Sequence, residues 1–432
     1  MNNKRKQSSS LSPLSPSDKI CKHADAGAAA ADHFYSNLNR TNQELRTNSR
    51  LFHMRAFNGW VKAMQIAQVQ TALRRKEGDG LRILDLGCGK GGDLGKWCNQ
   101  QTTRNPVQWY VGIDAAKGSL QDAAKRIINL PPGRRRMQRA HLVWADLGAD
   151  VPGGDQKLET WIMENSVSAT SSNSTVVRET VPQFRKVAGG GISSTDRFDV
   201  VSIQLAIHYM MSSEERARRF FKTVGSLLDV GGMLIATTID ARVIISHLMD
   251  HLGTNIESNN GDVNDDDEEL HSCEDLLTLS VGGGACKLKF KREMLHRIFN
   301  LRKSSDANYV ESCSDNTFGL EYTFTLSEGN DHEAGVGEAV DLPEWLTPIP
   351  VLQSLANDVG LRLNTHENFH EFYRNRSKLP QAQNALYNMH VLDRTGSISK
   401  EEWEICRMYT AVSFTKIREV TMSKVSGMMQ RN

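Results

Sequence analysis

Residues 81–93 read Leu-Arg-Ile-Leu-Asp-Leu-Gly-Cys-Gly-Lys-Gly-Gly-Asp. A short apolar run ends in Asp85, and glycines follow at 87, 89, 91 and 92. Further on, a second apolar run, Trp109-Tyr110-Val111-Gly112-Ile113, ends in Asp114. Strand, glycine turn, helix, strand, acid is the order by which an open α/β sheet builds a nucleotide-type crevice.

The glycines alone do not choose the ligand. Gly87, Gly89 and Gly92 satisfy G-x-G-x-x-G, which suits a pyrophosphate at a helix N-terminus but also a tight turn that holds nothing. Asp85 argues against a dinucleotide, because a carboxylate beside the crevice repels phosphate and suits an amine or a sulfonium. Asp114 is placed to accept from ribose hydroxyls, a role common to both ligand types. S-adenosylmethionine, cationic at one end with a ribose and no phosphate, fits the pair.

The chain has 432 residues, 39% of them hydrophobic, enough for one large domain or two ordinary ones. Formal net charge is +1, so any basic surface for nucleic acid must be local. Seven scattered cysteines without a C-x-x-C argue against a disulfide framework or structural zinc and for a reducing compartment; no metal is expected. No signal-peptide core and no run of about 18 apolar residues occur, so no membrane span is expected.

Residues 1–30, rich in Ser, Pro, Lys and Ala, read as a disordered tail, and residues 31–432 as one catalytic domain. Lys4-Arg5-Lys6 reads as an ordinary charged tail or part of a nuclear address. From His33 to Gln70 the chain reads mostly helical, with Phe57, Trp60, Val61 and Met64 on one face. Strands are expected at 81–86, 108–113, 141–145, 198–203 and 232–238, with helices at 118–129 and 213–228. That alternation predicts an α/β, doubly wound, mostly parallel sheet. Residues 150–196 and the acidic 254–275 read as inserted solvated loops. Later come a strand at 318–326, a loop punctuated by Pro343, Pro348 and Pro350, a helix at 351–359, and strands at 361–366 and 409–417 that complete the sheet.

Rarer segments appear in a fixed order: Arg55-Ala-Phe-Asn58-Gly-Trp60-Val-Lys62, the 85–93 turn, Gln204-Leu-Ala-Ile-His208-Tyr209, Val340-Asp341-Leu-Pro-Glu344-Trp345 and Asn368-Phe-His-Glu371-Phe-Tyr373. Together they closely resemble the messenger-RNA cap guanine-N7 methyltransferases, from about Tyr35 to Phe414. The resemblance implies a class I methyltransferase (Rossmann-like) fold with added cap-binding segments, and methyl transfer from S-adenosyl-L-methionine to N7 of the guanosine capping nascent mRNA. It implies cofactor contacts from Lys62, Gly87, Asp114, Asp146, Gln204 and Tyr209. To these the crevice reading adds Asp85 and Gly89. Cap contacts carry over to Asn58, Gly59, Lys90, Lys96, Arg126, His208, Glu344 and Tyr409. Gly59 departs from the pattern, which usually has a second Asn there; a side-chain contact is then lost or made by backbone.

Guanine N7 is an in-plane lone pair without a proton, so attack on a sulfonium methyl needs no general base and no acid/base residue is expected. Alignment of nucleophile, methyl and sulfur then supplies much of the rate, up to roughly 7–11 kcal/mol. His208, Tyr209 and Glu344 are read as positioning groups, with Glu344 stabilising the charge the purine gains. Lys90, Lys96 and Arg126 suit the cap triphosphate, and Arg134-Arg135-Arg136 with Arg139 could extend that track or form a solvated loop. Lys62 is expected at the methionine carboxylate and Asp146 at the adenine amine.

A methyltransferase acting on another RNA or a small molecule would keep the 81–146 half but leave Asn58, Glu344 and Tyr409 unexplained. A cap-binding scaffold would have no need of the cofactor crevice. The implied partner is the capped 5′ end of mRNA, which points to the nucleus. An activating subunit, or a triphosphatase or guanylyltransferase partner of the capping reaction, is left open.

Overall fold

The computed structural model describes residues 49–73, 80–98, 106–130, 137–149, 159–164, 185–188, 191–258, 276–303, 317–327 and 337–420. The tail at 1–30, the helical reading of 33–48, Arg134–Arg136 and the acidic run at 265–269 lie outside these residues.

Helix α1 (Phe52–Ala72) leads into β1 (Leu81–Leu86), a short α2 (Leu94–Trp97), β2 (Val107–Asp114), α3 (Lys117–Ile128) and β3 (Met137–Trp144). Strands β4 (Glu159–Glu164) and β5 (Arg185–Ala188) precede β6 (Phe198–Gln204). A 3-10 turn (Ile207–Ser212), α4 (Glu214–Leu227), β7 (Leu228–Ile239) and α5 (Ala241–Ser258) follow. These strands and two later ones form a nine-stranded sheet, β12-β13-β7-β6-β1-β2-β3-β4-β5, with β12 (Leu361–Asn368) and β13 (Tyr409–Lys416). β6, β1, β2 and β3 run parallel, as do β6 and β7; the other pairings are antiparallel. The chain moves outward on one side of β1 and then returns to the other, so the switch point lies between β1 and β6. Ligands bind beyond the strand C-termini at such a point. The doubly wound class I expectation holds.

The reading of 150–196 as loop is corrected in part. Glu159–Glu164 pairs antiparallel with β3, and Arg185–Ala188 extends the edge. Thr160 and Met163 are fully buried there, so these residues pay for ordering by burial that a Gly- and Ser-rich composition concealed. Residues 254–258 are likewise the end of α5, not a loop.

A second, antiparallel sheet, β11-β10-β9-β8, is absent from the sequence reading as a unit. It comprises β8 (Leu276–Val281), β9 (Cys286–Lys291), β10 (Glu321–Ser327) and β11 (Gly337–Trp345), with α6 (Arg292–Lys303) after β9. Pro343, expected in a loop, is in β11. β11 is an edge strand, where a residue without an N–H costs no ladder bond. In β10 Tyr322, Phe324 and Leu326 alternate inward. They join one core with Leu288 and Phe290 of β9, Met54, Phe57 and Trp60 of α1, and Phe369 and Tyr409. The second sheet therefore packs across α1 and roofs the switch point.

Helices α7 (Ile349–Asp358), α8 (Phe369–Arg376), α9 (Pro380–Asn388) and α10 (Lys400–Cys406) complete the chain. The motif Asn368–Tyr373 is a capping box: the Asn368 side chain accepts from backbone in the first turn of α8 and Glu371 reaches back to its N–H. Asn368 Nδ2 also donates to Asp240 and to the Arg407 and Tyr409 carbonyls, tying the ends of β7, β12 and β13 together.

Candidate active site

The glycine turn after β1 is left-handed where it must be. Gly87, Gly89 and Gly91 have φ of 63°, 52° and 69°. A Cβ on Gly87 would lie 2.7 Å from Ala206 Cβ, so only glycine fits between the two strand ends. Asp114, at the end of β2, braces the turn: Oδ2 accepts from Gly89 N–H and Oδ1 from Ala116 N–H, both at 2.7 Å. Leu205, just past β6, has φ of 58°, rare for a leucine. Its N–H donates to both Thr237 O and Thr237 Oγ1, and Gln204 Oε1 accepts from the same hydroxyl at 3.0 Å.

Above these strand ends is a cavity of about 470 Å³, within the usual range for a small-molecule site. Lys62, Gly87, Gly89, Asp114, Asp146, Gln204 and Tyr209 line it, as do Asn58, Gly59, Lys90, Lys96, His208, Glu344 and Tyr409. Fourteen residues from seven separate stretches of the chain are thus brought together. Asp85 and Arg126 are not on this wall. Asp85 is buried behind the glycine turn and accepts from Tyr110 Oη at 2.8 Å; burial, then neighbouring Asp93, raises its pKa to about 7. Arg126 donates to the Gly91 carbonyl from outside the turn.

The cations of the wall are held by acids. Asp93 receives Lys62 at 3.1 Å and Lys96 at 2.7 Å, one carboxylate between two lysines. Despite burial, those two charges hold Asp93 well below the usual carboxylate range. Lys90 pairs with Asp122 at 3.0 Å. Asp146 is gripped by both terminal nitrogens of Arg216 and accepts from Gly148 N–H. Arg139, read either as part of an RNA track or as solvated, lies on β3, exposed, with its guanidinium over Trp109 at 4.6 Å and donating to His141. Asp93 and Arg216 carried no role in the sequence reading. Asp93 stood in the quoted motif, but its partners come from α1 and α2; Arg216 had no local signal.

At the other end are His208, Tyr209 and Glu344. His208 is 4% exposed; burial lowers its pKa to about 3, so the ring is neutral, and among the described residues neither ring nitrogen has a hydrogen-bond partner. His208 Nε2 lies 3.5 Å from Glu344 Oε1, and Tyr322 Oη donates to Glu344 Oε2 at 2.7 Å. Burial raises the Glu344 pKa to about 7. Asn58 Oδ1 is also buried without a partner among the described residues. Unmet polar groups of this kind mark where a ligand's own donors and acceptors belong. A Cβ on Gly59 would meet only the Met389 methyl, at 3.3 Å. Crowding at that flexible side-chain end is a mild constraint, so gross steric exclusion does not explain the glycine.

Whether S-adenosylmethionine fits can be judged from these groups. The turn admits close backbone approach, Asp114 stands at the strand end where a ribose is read, and three carboxylates (Asp93, Asp114, Asp146) line the strand-end wall. Asp114 and Asp146 can accept from a ribose hydroxyl and an amine, and Lys62 can meet a carboxylate, as this cofactor requires. Among the described residues no acidic, His or Cys cluster could hold a metal ion.

Residues 20–262 and 291–417 match the family model described as the mRNA (guanine-N(7))-methyltransferase domain. A rice protein named mRNA cap guanine-N(7) methyltransferase 1 is 28% identical over 393 residues, covering 89% of this chain and 80% of its own length. An Arabidopsis thaliana protein of the same name is 27% identical over 401 residues, covering 92% and 83%. Among solved structures, the CcbJ methyltransferase from Streptomyces caelestis aligns with a TM-score of 0.39 at 10% identity, covering 84% of this chain and 90% of that one.

Proposed function

This chain belongs to the mRNA (guanine-N(7))-methyltransferase family, and we propose that its cavity binds S-adenosylmethionine beside the guanosine cap of an mRNA 5′ end and methylates guanine N7. The observation that carries the reading is the Glu344–His208 end of the cavity. A buried acid with no cation beside it among the described residues, opposite a neutral imidazole with two unmet nitrogens, suits a polar base edge that becomes positive during reaction.

S-adenosylmethionine supplies a methyl carbon on a cationic sulfur, which an in-plane purine lone pair displaces in line without releasing a proton. The residues' task is to hold and orient. Gly87 and Gly89 offer backbone to the cofactor, Asp114 and Gln204 its ribose side, and Asp146 its adenine side. Lys62 reaches the carboxylate end, where Asp93 sets its position. Lys90 and Lys96 face the cap phosphates, Asn58, Gly59 and Tyr409 the rest of the cap, and Tyr209 covers a ring face. Glu344 accepts from the guanine edge and becomes a stronger partner as the ring gains charge.

The same reading assigns the protein to the nucleus, where transcripts are capped, with a capping enzyme or an activating subunit as candidate partners. Among the described residues no helix is long and apolar enough to cross a membrane.

The test is direct. Purified protein, labelled S-adenosylmethionine and unmethylated capped RNA should yield label in N7-methylguanosine after digestion. Label in any other nucleoside, or none, rejects the reading.

A further inference from the structure

Glu344 of β11 stands opposite Tyr322 of β10 in the second sheet, and both side chains point inward. Around this carboxyl are Tyr322 from β10, Cys286 from β9 and His208 from the 3-10 turn, and Tyr409 from β13 stands near the Tyr322 hydroxyl. None brings a positive charge. Two are phenols, one is a thiol that burial keeps protonated, and the imidazole is neutral. The Tyr322 hydroxyl makes the only hydrogen bond assigned to the carboxyl among the described residues. His208 Nε2, at 3.5 Å, makes none. A buried carboxylate is comfortable with two or three donors, so the protein leaves the set incomplete.

We propose that Tyr322 is a positioning residue for recognition of the cap base: it holds Glu344 Oε2, leaving Oε1 as the acceptor for a base edge that presents N–H donors. The inference rests on the cap reading and deepens it. Entry of the guanine edge, with its ring N–H and exocyclic amine, completes the donor set and makes the ionised carboxyl the stable form. The Glu344 proton then leaves to solvent, and base binding is coupled to proton release. The free site holds that proton up to about pH 7.

The full chain with Tyr322→Phe tests this, with an unmethylated cap dinucleotide as substrate. For the wild type, kcat/KM should rise as pH climbs through the free-enzyme value of about 7 and then level. Removing the hydroxyl takes away the donor that favours the charged form, so the rise should move up by about one pH unit. Near pH 7 the variant should lose roughly fivefold, mainly in KM, and recover most of it by about pH 9, with cofactor affinity unchanged. A loss equal at every pH, or no loss, overturns the proposal.

A second measurement needs no variant. Calorimetric binding of the dinucleotide to the wild type, at about pH 6 in buffers of different ionisation heat, should register net release of close to one proton. Zero release, or uptake, overturns the proposal as well. Failure of the wild type to methylate the cap would instead sink the parent reading.

Discussion

Glu344 is where chemistry and stability pull in opposite directions. Its folded pKa lies above its ordinary value of 4.5, at about 7. Between those values the folded chain holds a proton that the unfolded chain has lost, so stability falls as pH rises through that window and stays lower above it. Glu344→Gln removes this term. The variant should match the wild type near pH 4 and be more stable above pH 7, by on the order of 2 kcal/mol, as read by thermal melts. It should also lose at least ~100-fold in kcat/KM on capped RNA with cofactor affinity intact. Asp93 has the opposite sign. Its pKa is held low by Lys62 and Lys96, so its contribution is full above about pH 4 and is lost as pH falls. Asp93→Asn leaves two lysines facing each other and should cost ~3–5 kcal/mol in urea denaturation at neutral pH, a gap that closes in acid.

At the level of elements, the glycine turn and the last strand invite separate tests. Gly87→Ala meets both a left-handed φ and a 2.7 Å contact with Ala206, so the turn must shift. We expect calorimetry to show at least ~10-fold weaker cofactor binding. In β13, Lys416 is 1% exposed, and its Nζ donates to the Gly225 carbonyl in the last turn of α4 and the Leu228 carbonyl just past it, and pairs with Glu419. Lys416→Met would leave the carbonyls unmet and should destabilise the chain by about 1–3 kcal/mol, again by denaturation. The parallel strands were legible because each is a continuous apolar run between turn signals. The capped helices α8 and α10 and the strands of the second sheet were harder to see: their apolar residues alternate over only a few positions, and lysines occupy the outer face of β9.

Across the whole molecule, charge is nearly balanced, yet the cavity gathers Lys62, Lys90, Lys96 and Arg216 on one wall, each beside an acid. Attraction for a triphosphate is therefore local. The affinity for a cap dinucleotide should fall with salt with a log–log slope of roughly −2, and capped RNA of greater length should not be much steeper. A much steeper slope for long RNA would reveal a basic track outside this cavity.

By itself the sequence determined the parallel strands at the centre of the sheet and the glycine turn with its strand-end acid, where a cofactor is proposed to bind. Those features are local: an apolar run, a glycine turn and a strand-end acid lie within a few dozen residues, and strand-end geometry follows from them. The cap-side residues were legible only through the resemblance of separated motifs, and their roles were not readable from local pattern. Only the tertiary structure set Glu344 of an edge strand against His208 of a distant turn, gave it Tyr322 as its donor, and placed Asp93 between two lysines. It also moved Asp85 behind the turn it was expected to face. The physical reason is that burial and pairing arise where separate faces pack. A side chain's pKa and its unmet hydrogen bonds belong to that packed surrounding, not to its neighbours in the chain.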